Sequence, residues 1–220
     1  MLTLLTTSPI IFLGAILAFM MAVMAHEVAH GYVALKCGDP TAKYMGRLNF
    51  NPQSHFDLFG AVMFLVIGFG YAKPVPINPN NFKNYKKDSI KVALAGVVTN
   101  FLLAFLIYPI YVLAVPYIVQ LSAYGSMGYG FAQFFIAFLQ YFLWINLVLM
   151  VFNLMPIPPL DGFRFLELIL PAGNKVMQFL AKNTLLILIV FMLANSYFGI
   201  ISVVASFVER PIIWFWGLIL

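Results

Sequence analysis

Residues 8–35 read SPIIFLGAILAFMMAVMAHEVAHGYVAL and decide the fold class of this chain. They contain no Lys, Arg or Asp, and their single carboxylate belongs to Glu27. A helix needs about 20 mainly apolar residues to cross the hydrocarbon core of a bilayer. The stretch is long enough, so it predicts a transmembrane helix that carries ionisable side chains in its second half.

The rest of the chain is similarly apolar. Of its 220 residues, 63% are hydrophobic and 9% are charged, whereas a soluble domain carries about 25% charged residues. This composition excludes a water-soluble enzyme and an intrinsically disordered protein. The net charge of +5 comes from scattered cations without a basic stripe, so no nucleic-acid partner is expected. Cys37 is the only cysteine, which excludes an intrachain disulfide.

Further uncharged runs predict an all-α polytopic membrane protein that forms a single domain over residues 1–220. The four predicted transmembrane helices cover about residues 8–35, 92–119, 131–155 and 184–208. The apolar run 58–72 is too short to span and contains three glycines. It predicts a short re-entrant or β-like membrane-associated segment, within a loop of about 47–79, between the first and second helices. Residues 211–220 predict an interfacial tail because they contain two tryptophans.

The cations predict the orientation. They concentrate in residues 36–91 and 156–183, and none occurs before Lys36 or in residues 120–130. Lys and Arg favour cytoplasmic loops. We therefore expect a multi-pass protein of a prokaryotic plasma membrane, with both termini outside.

The first predicted helix contains the pattern His26-Glu27-Val28-Ala29-His30. Residues four apart lie on the same face of a helix, so both imidazoles can bind one metal ion. Glu27 lies beside them and can act on a zinc-activated water without being a ligand. The alternatives are a packed polar network between helices and a histidine proton path.

A catalytic zinc site usually has three protein ligands and an open position for water. His55, Asp57 and Asp161 are candidates for the third ligand. Asp161 follows three prolines in four positions, which end the third predicted helix and free the backbone to direct the carboxylate. From the residues alone the choice stays open, and Asp161 also suits the N-cap of a short helix.

The motifs together resemble the site-2 protease family of intramembrane zinc metalloproteases. The resemblance covers about residues 8–165. The matching motifs are HEVAH (26–30), NPQSHFD (51–57), GYAKPVP (70–76), GVVTN (96–100) and NLMPIPPLDG (153–162). The family implies one Zn²⁺ per chain, bound by His26, His30 and Asp161, with Glu27 as the catalytic base and acid. It also points to Asn100 and Asn153 as polar groups of the active site.

The resemblance implies hydrolysis of a peptide bond in or near a transmembrane helix of a substrate protein, close to the cytoplasmic side. The sequence shows neither the PDZ insert nor the CBS domain of larger relatives, and so resembles a minimal form. Expected partners are a transmembrane protein substrate and membrane lipids, and a homo-oligomer is left open. A zinc or proton transporter that uses the His, Glu and Asp cluster is the main alternative function, and an inactive scaffold is another.

The loop between the first two helices is a candidate for binding substrate. A peptide bond in a membrane helix is shielded, so the substrate must unwind locally. Extended stretches at 47–57 and 71–79 would capture an unwound chain by β-addition. Their candidate residues are His55, Asp57, Gly70 and Lys73. A plain cytoplasmic connection is the alternative interpretation of this loop.

Overall fold

The structure, a computed structural model, describes residues 2–56, 73–171 and 173–220. Twelve helices occur in these ranges, joined by turns and irregular connections. Two are short 3₁₀ helices, Pro79–Asn81 and Leu121–Tyr124. The ten α-helices are α1 (Leu2–Thr7), α2 (Pro9–Cys37), α3 (Thr41–Tyr44), α4 (Pro52–His55), α5 (Tyr85–Gln120), α6 (Gly125–Asn153), α7 (Asp161–Ile169), α8 (Lys175–Lys182), α9 (Thr184–Phe198) and α10 (Ile200–Gly217).

Three stretches are long and apolar enough to cross a membrane, namely Pro9–Cys37, Tyr85–Asn153 and Ile200–Gly217. A fourth results if α8 and α9, which meet at an angle of 82°, form one broken span. The second stretch contains both α5 and α6. These two helices pack against each other, and α2 packs against both. These three long helices form the centre of the protein, and the expected all-helical membrane protein is confirmed at this level.

Small side chains let α2 approach its neighbours closely. The side chains of Ala15, Ala18 and Ala22 of α2 are fully buried. A Cβ atom on Gly14 would lie 2.7 Å from the main-chain oxygen of Phe134 in α6. Without a hydrophobic driving force between helices in lipid, such small residues allow the backbone contact that holds membrane helices together.

Helices α5, α6 and α10 share an apolar core. Leu147 of α6 and Ile212 of α10 are almost fully buried in it. Trp216 of α10 donates a hydrogen bond from Nε1 to the main-chain oxygen of Phe105 in α5, at 2.9 Å. Phe105 lies four residues before Pro109. Because proline has no N–H, that oxygen lacks its usual helical partner, and the indole replaces it.

The structure differs from the predicted single helix over 184–208. Helix α9 ends at Phe198, and Gly199 adopts a left-handed conformation with φ of 59° before α10 begins. Glycine populates this region without steric cost, so it can end one helix and start the next. Residues 211–217, predicted as part of an interfacial tail, continue α10.

Asp39 joins the end of α2 to the connection before α5. Its buried carboxylate accepts hydrogen bonds from the main-chain and side-chain groups of Thr41, from Asn81 Nδ2 at 2.7 Å and from the Asn78 N–H at 2.7 Å. Residues 73–78 form an irregular connection that leads to these contacts, and Asn78 at its end has an extended backbone. Asp39 therefore fixes the end of a segment that passes over the second half of α2.

Candidate metal centre

Three potential metal ligands from distant parts of the chain lie together. His26 and His30 are one turn apart on α2, and Asp161 is the first residue of α7. All three are buried, and one ligand atom of each lies within 4.8 Å of the others. The two imidazole Nε2 atoms are 3.0 Å apart. Asp161 Oδ2 is 3.2 Å from His26 Nε2 and 3.1 Å from His30 Nε2.

Hydrogen bonds on the far side of each ring orient the two histidines. His30 Nδ1 lies 2.7 Å from the main-chain oxygen of Val92, and His26 Nδ1 lies 2.6 Å from Asn100 Oδ1. Both partners are oxygens that accept, so each Nδ1 carries the ring proton and donates it. The Nε2 atoms of the neutral rings therefore present lone pairs to the centre of the group.

These atoms fit a zinc ion. Two Nε2 lone pairs and a carboxylate oxygen face each other, and Asp161 Oδ2 is buried with no hydrogen-bond partner among the described residues. Three acceptor atoms this close together repel one another unless a cation or a shared proton lies between them. Nitrogen and oxygen ligands of a tetrahedral zinc lie about 3.3 Å apart, close to the distances observed here. In zinc sites, the ring nitrogen of a ligating histidine that does not bind the metal typically donates a hydrogen bond, as Nδ1 does here.

Glu27 lies beside the group without joining it. Its Oε2 accepts a hydrogen bond of 2.9 Å from the main-chain N–H of Val75. Val75 belongs to the irregular segment 73–78, so this segment contacts the carboxylate through its main chain. Glu27 is half-buried and lines a cavity, where its other carboxylate oxygen can meet a water or a substrate.

That cavity has a volume of about 470 Å³ and contacts all three members of the group. Apolar side chains from three helices form one wall, namely Phe19 and Val23 of α2, Leu149 and Phe152 of α6, and Leu188 of α9. Glu27, Asn153 and Arg164 add polar groups. The cavity can thus accommodate an apolar chain next to the candidate metal site.

The structure places the two candidate asparagines differently. Asn100 is fully buried behind His26, and its Nδ2 donates to Asn146 Oδ1 at 2.7 Å. Asn153 lines the cavity, and its Nδ2 donates at 3.0 Å to Leu149 of its own helix. Of the two, only Asn153 adjoins the open space of the cavity.

Of the loop candidates, the structure describes His55 and Lys73. His55 is fully buried, with Nε2 2.7 Å from the Asn49 main-chain oxygen, and it is not part of the grouped donors. The Lys73 N–H donates to the His55 main-chain oxygen at 2.7 Å, which pairs two parts of the predicted loop. Asp57, Gly70 and the whole run 58–72, which was predicted to be re-entrant or β-like, lie outside the described residues.

A close backbone contact holds Asp161 in place. A Cβ atom on the next residue, Gly162, would overlap the main-chain oxygen of Leu154 and lie 2.7 Å from that of Met155. Only glycine fits here, because the chain that leaves α6 turns back against the start of α7. The position of the carboxylate is therefore tied to the end of α6.

Some residues of the site were missed by the sequence analysis. Asn146 lies behind Asn100 and is fully buried, and Leu188 and Arg164 line the cavity. A polar side chain inside an apolar run is a functional signal, so Asn146 in the run 131–155 could have been found. An apolar residue such as Leu188 carries no signal in a membrane protein.

Comparison with known proteins agrees with this geometry. The profile described as Peptidase family M50 matches residues 14–195. "Putative zinc metalloprotease YwhC" of Bacillus subtilis is 41% identical over 179 residues, which are 81% of this chain and 77% of that protein. "Putative zinc metalloprotease Rip2" of Mycolicibacterium smegmatis is 30% identical over 162 residues, 71% of this chain and 57% of that protein.

"Putative zinc metalloprotease MJ0611" of Methanocaldococcus jannaschii is 29% identical over 162 residues, which are 73% of this chain and 72% of that protein. No solved structure matches the chain significantly. The match to the family covers most of the chain and includes both histidines, Glu27 and Asp161. This chain therefore belongs to peptidase family M50, the site-2 protease family of membrane zinc metalloproteases.

Proposed function

We propose that this protein hydrolyses a peptide bond in or near a transmembrane helix of a substrate protein, close to the cytoplasmic side. One observation carries the proposal: His26, His30 and Asp161 present three acceptor atoms to one point, and that point opens to a cavity with an apolar wall. A metal site for a soluble substrate would not require such a wall.

The ligands of the proposed zinc are His26, His30 and Asp161. When bound, the ion would act as a Lewis acid that makes water a nucleophile near neutral pH. Glu27 accepts the proton of the attacking water and then delivers it to the amine nitrogen of the leaving peptide. Asn153, at the edge of the same cavity, is placed to donate a hydrogen bond to the carbonyl oxygen as negative charge develops on it.

The segment 73–78 is the proposed binding site for the unwound substrate. Its backbone passes Glu27 within hydrogen-bond distance of the Val75 N–H. An extended peptide can add to such a backbone by main-chain hydrogen bonds, which would place a scissile bond beside the carboxylate. Val75 itself is buried, so the segment is held firmly enough to orient a second chain.

A second cavity supports the proposed cytoplasmic access. Its volume is about 980 Å³, and it reaches the group from another side through His30 and Asp161. Lys86, Ser89, Arg164 and Glu167 line it. These polar residues belong to the two cation-rich parts of the chain, which the positive-inside rule assigns to the cytoplasm. Water can therefore approach the group from that side.

The proposal is tested with the full chain in liposomes. The probe is a single-span membrane protein with a tag at each end and a Gly-Pro pair in the cytoplasmic half of its helix, which promotes unwinding. We expect a cut inside or next to the helix, located by the masses of the two products. Glu27→Gln is the matched control, since it retains the three ligands and removes the base.

The outcome separates the competing functions. A zinc-dependent cut that Glu27→Gln abolishes supports intramembrane proteolysis. Cleavage of water-soluble peptides alone would contradict the proposed substrate class. Zinc or proton movement across the vesicle membrane without any cleavage would favour the transporter.

A further inference from the structure

A chain of hydrogen bonds links three helices behind His26. Asn146 of α6 donates from Nδ2 to the main-chain oxygen of Phe142 at 2.7 Å. Asn146 Oδ1 accepts from Asn100 Nδ2 of α5, also at 2.7 Å. Asn100 Oδ1 then lies 2.6 Å from His26 Nδ1 of α2. Both asparagines are fully buried and His26 is 6% exposed, so water does not compete for these bonds.

The direction of these hydrogen bonds is determined at the end farthest from His26. A main-chain carbonyl can only accept a hydrogen bond. The Phe142 oxygen therefore orients the Asn146 amide with Nδ2 toward it and Oδ1 toward Asn100. That oxygen in turn requires the donor Nδ2 of Asn100, which leaves Asn100 Oδ1 for His26. His26 must then carry its proton on Nδ1 and present the lone pair of Nε2 to Asp161.

We infer that Asn146 is a positioning residue of the metal centre, which sets the tautomer of His26 through Asn100. The inference rests on the proposed function and adds a residue that touches neither metal nor substrate. Without Asn146, Asn100 Nδ2 retains only the Ala22 oxygen at 3.5 Å. The Asn100 amide is then free to turn and donate to His26 Nδ1, which would place the ring proton on Nε2, between the ligands.

A role as ordinary contact between helices makes a different prediction. Buried asparagines often join membrane helices by hydrogen bonds, and their loss then lowers stability alone. A positioning role also predicts weaker metal binding, because losing a partner behind a ligating histidine reduces metal affinity about 10- to 100-fold. The two roles are therefore distinguished by metal affinity at equal folding.

The experiment measures the Co²⁺ affinity of the detergent-purified full chain in three variants. Asn146→Leu keeps the approximate side-chain volume and removes the hydrogen bonds of residue 146. We therefore expect the Co²⁺ affinity to fall about 10- to 100-fold. Asn146→Asp in its neutral form, which burial favours, can still donate to Phe142 and accept from Asn100. We expect it to restore an affinity close to that of the unmodified protein.

Leu147→Ala is the matched control for packing. Leu147 is fully buried next to Asn146 on the same helix, and its truncation leaves a cavity but no broken hydrogen bond. We expect a lower melting temperature with unchanged Co²⁺ affinity. Equal affinity in Asn146→Leu and the unmodified protein would overturn the inference.

A second measurement does not depend on any variant at position 146. The chain has three histidines, so ¹⁵N labelling of their rings gives a simple spectrum that single replacements assign. In the metal-free protein in alkaline buffer we expect the proton of the neutral His26 ring on Nδ1. A proton on Nε2 would overturn the inference. If the unmodified protein binds no Co²⁺ or Zn²⁺, the proposed function fails instead.

Discussion

Gly96 of α5 lies directly against the ring of His26. A Cβ atom at position 96 would be 2.5 Å from both His26 Nδ1 and His26 Nε2, closer than any real contact. The glycine therefore allows α5 to hold the imidazole from behind while Asn100, one turn further along, contacts its Nδ1. A side chain at this position would displace the ring from its present position.

Gly96→Ala should consequently impair the metal site more than the fold. Overpacking at a buried site costs about 1–3 kcal/mol, and here the ring of His26 is the group that must move. We expect Zn²⁺ affinity and proteolysis to fall together while the protein still purifies as a folded species. Gly217→Ala is the control, since a Cβ there meets nothing within 4 Å. Normal Zn²⁺ affinity in Gly96→Ala would contradict this close contact.

Three substitutions separate the ligands from their neighbours. Asp161→Asn should lose tight Zn²⁺ binding because the amide cannot replace the charge of the carboxylate. Glu27→Gln should keep about one Zn²⁺ per chain and lose about 10²- to 10⁴-fold in rate, the usual contribution of a general acid or base. His55→Gln should keep the ion, since His55 Nε2 contacts Asn49. Zinc content is measured by atomic emission on purified protein.

Retention of Zn²⁺ in Asp161→Asn with its loss in His55→Gln would assign the third ligand to His55. Loss of Zn²⁺ in Glu27→Gln would mean that the glutamate coordinates the ion. Either result would revise the proposed mechanism, whereas the pattern expected above would support it.

The hydrogen bond from Trp216 to Phe105 predicts a measurable coupling to Pro109. Trp216→Phe removes the donor, and interhelical hydrogen bonds in membranes contribute about 0.6 kcal/mol on average. In a Pro109→Ala background the N–H of residue 109 can bind the Phe105 oxygen, so Trp216→Phe should then cost less. A double-mutant cycle of unfolding free energies in detergent measures the difference. Additive effects would show that the two residues act independently.

Asp39 predicts an acid-sensitive contribution to stability. Burial by itself would raise the pKa of Asp39, but hydrogen bonds from Thr41, Asn81 and Asn78 outweigh it and lower the pKa. The stabilisation is therefore fully present above the unfolded-state pKa of about 3.9. It is lost as the pH falls through the lower pKa of the folded protein.

Asp39→Asn replaces an acceptor by a donor that faces other N–H groups. We expect a loss of about 1–3 kcal/mol near neutral pH, the usual cost of an unsatisfied buried group, and a smaller difference from the unmodified protein in acid. Melting temperatures measured across a pH series check both. A difference that grows in acid would contradict the assigned direction.

The features that depend on local spacing could be predicted from the sequence. His26 and His30 share a helix face because they are four residues apart, and an unbroken apolar helix extends to both of them. Asp161 is 131 positions beyond His30, so its place was predictable only through the family resemblance. The packing of α2 against α5, and of α7 against the same helix, then brings the three side chains together.

The direction of side chains could not be predicted in the same way. Asn100 and Asn153 are both intramembrane asparagines, yet one lies behind His26 and the other faces the cavity. This difference depends on how each helix is rotated about its axis, which is determined by contacts such as Gly14 with α6. The helix break at Gly199 could not be predicted either, because an isolated glycine in an apolar run can allow close packing of a continuous helix or can end the helix.

The contact of Gly162 with the end of α6 has a mechanical consequence. The chain between Asn153 and Asp161 turns back so closely that the main-chain oxygens of Leu154 and Met155 lie against Gly162 in the first turn of α7. Asn153, which lines the cavity, and Asp161, a proposed ligand of the metal, are thereby joined through one closely packed turn. We therefore expect a tilt of α6 that widens the cavity to shift the Asp161 carboxylate as well, which would couple the admission of a substrate to the geometry of the centre.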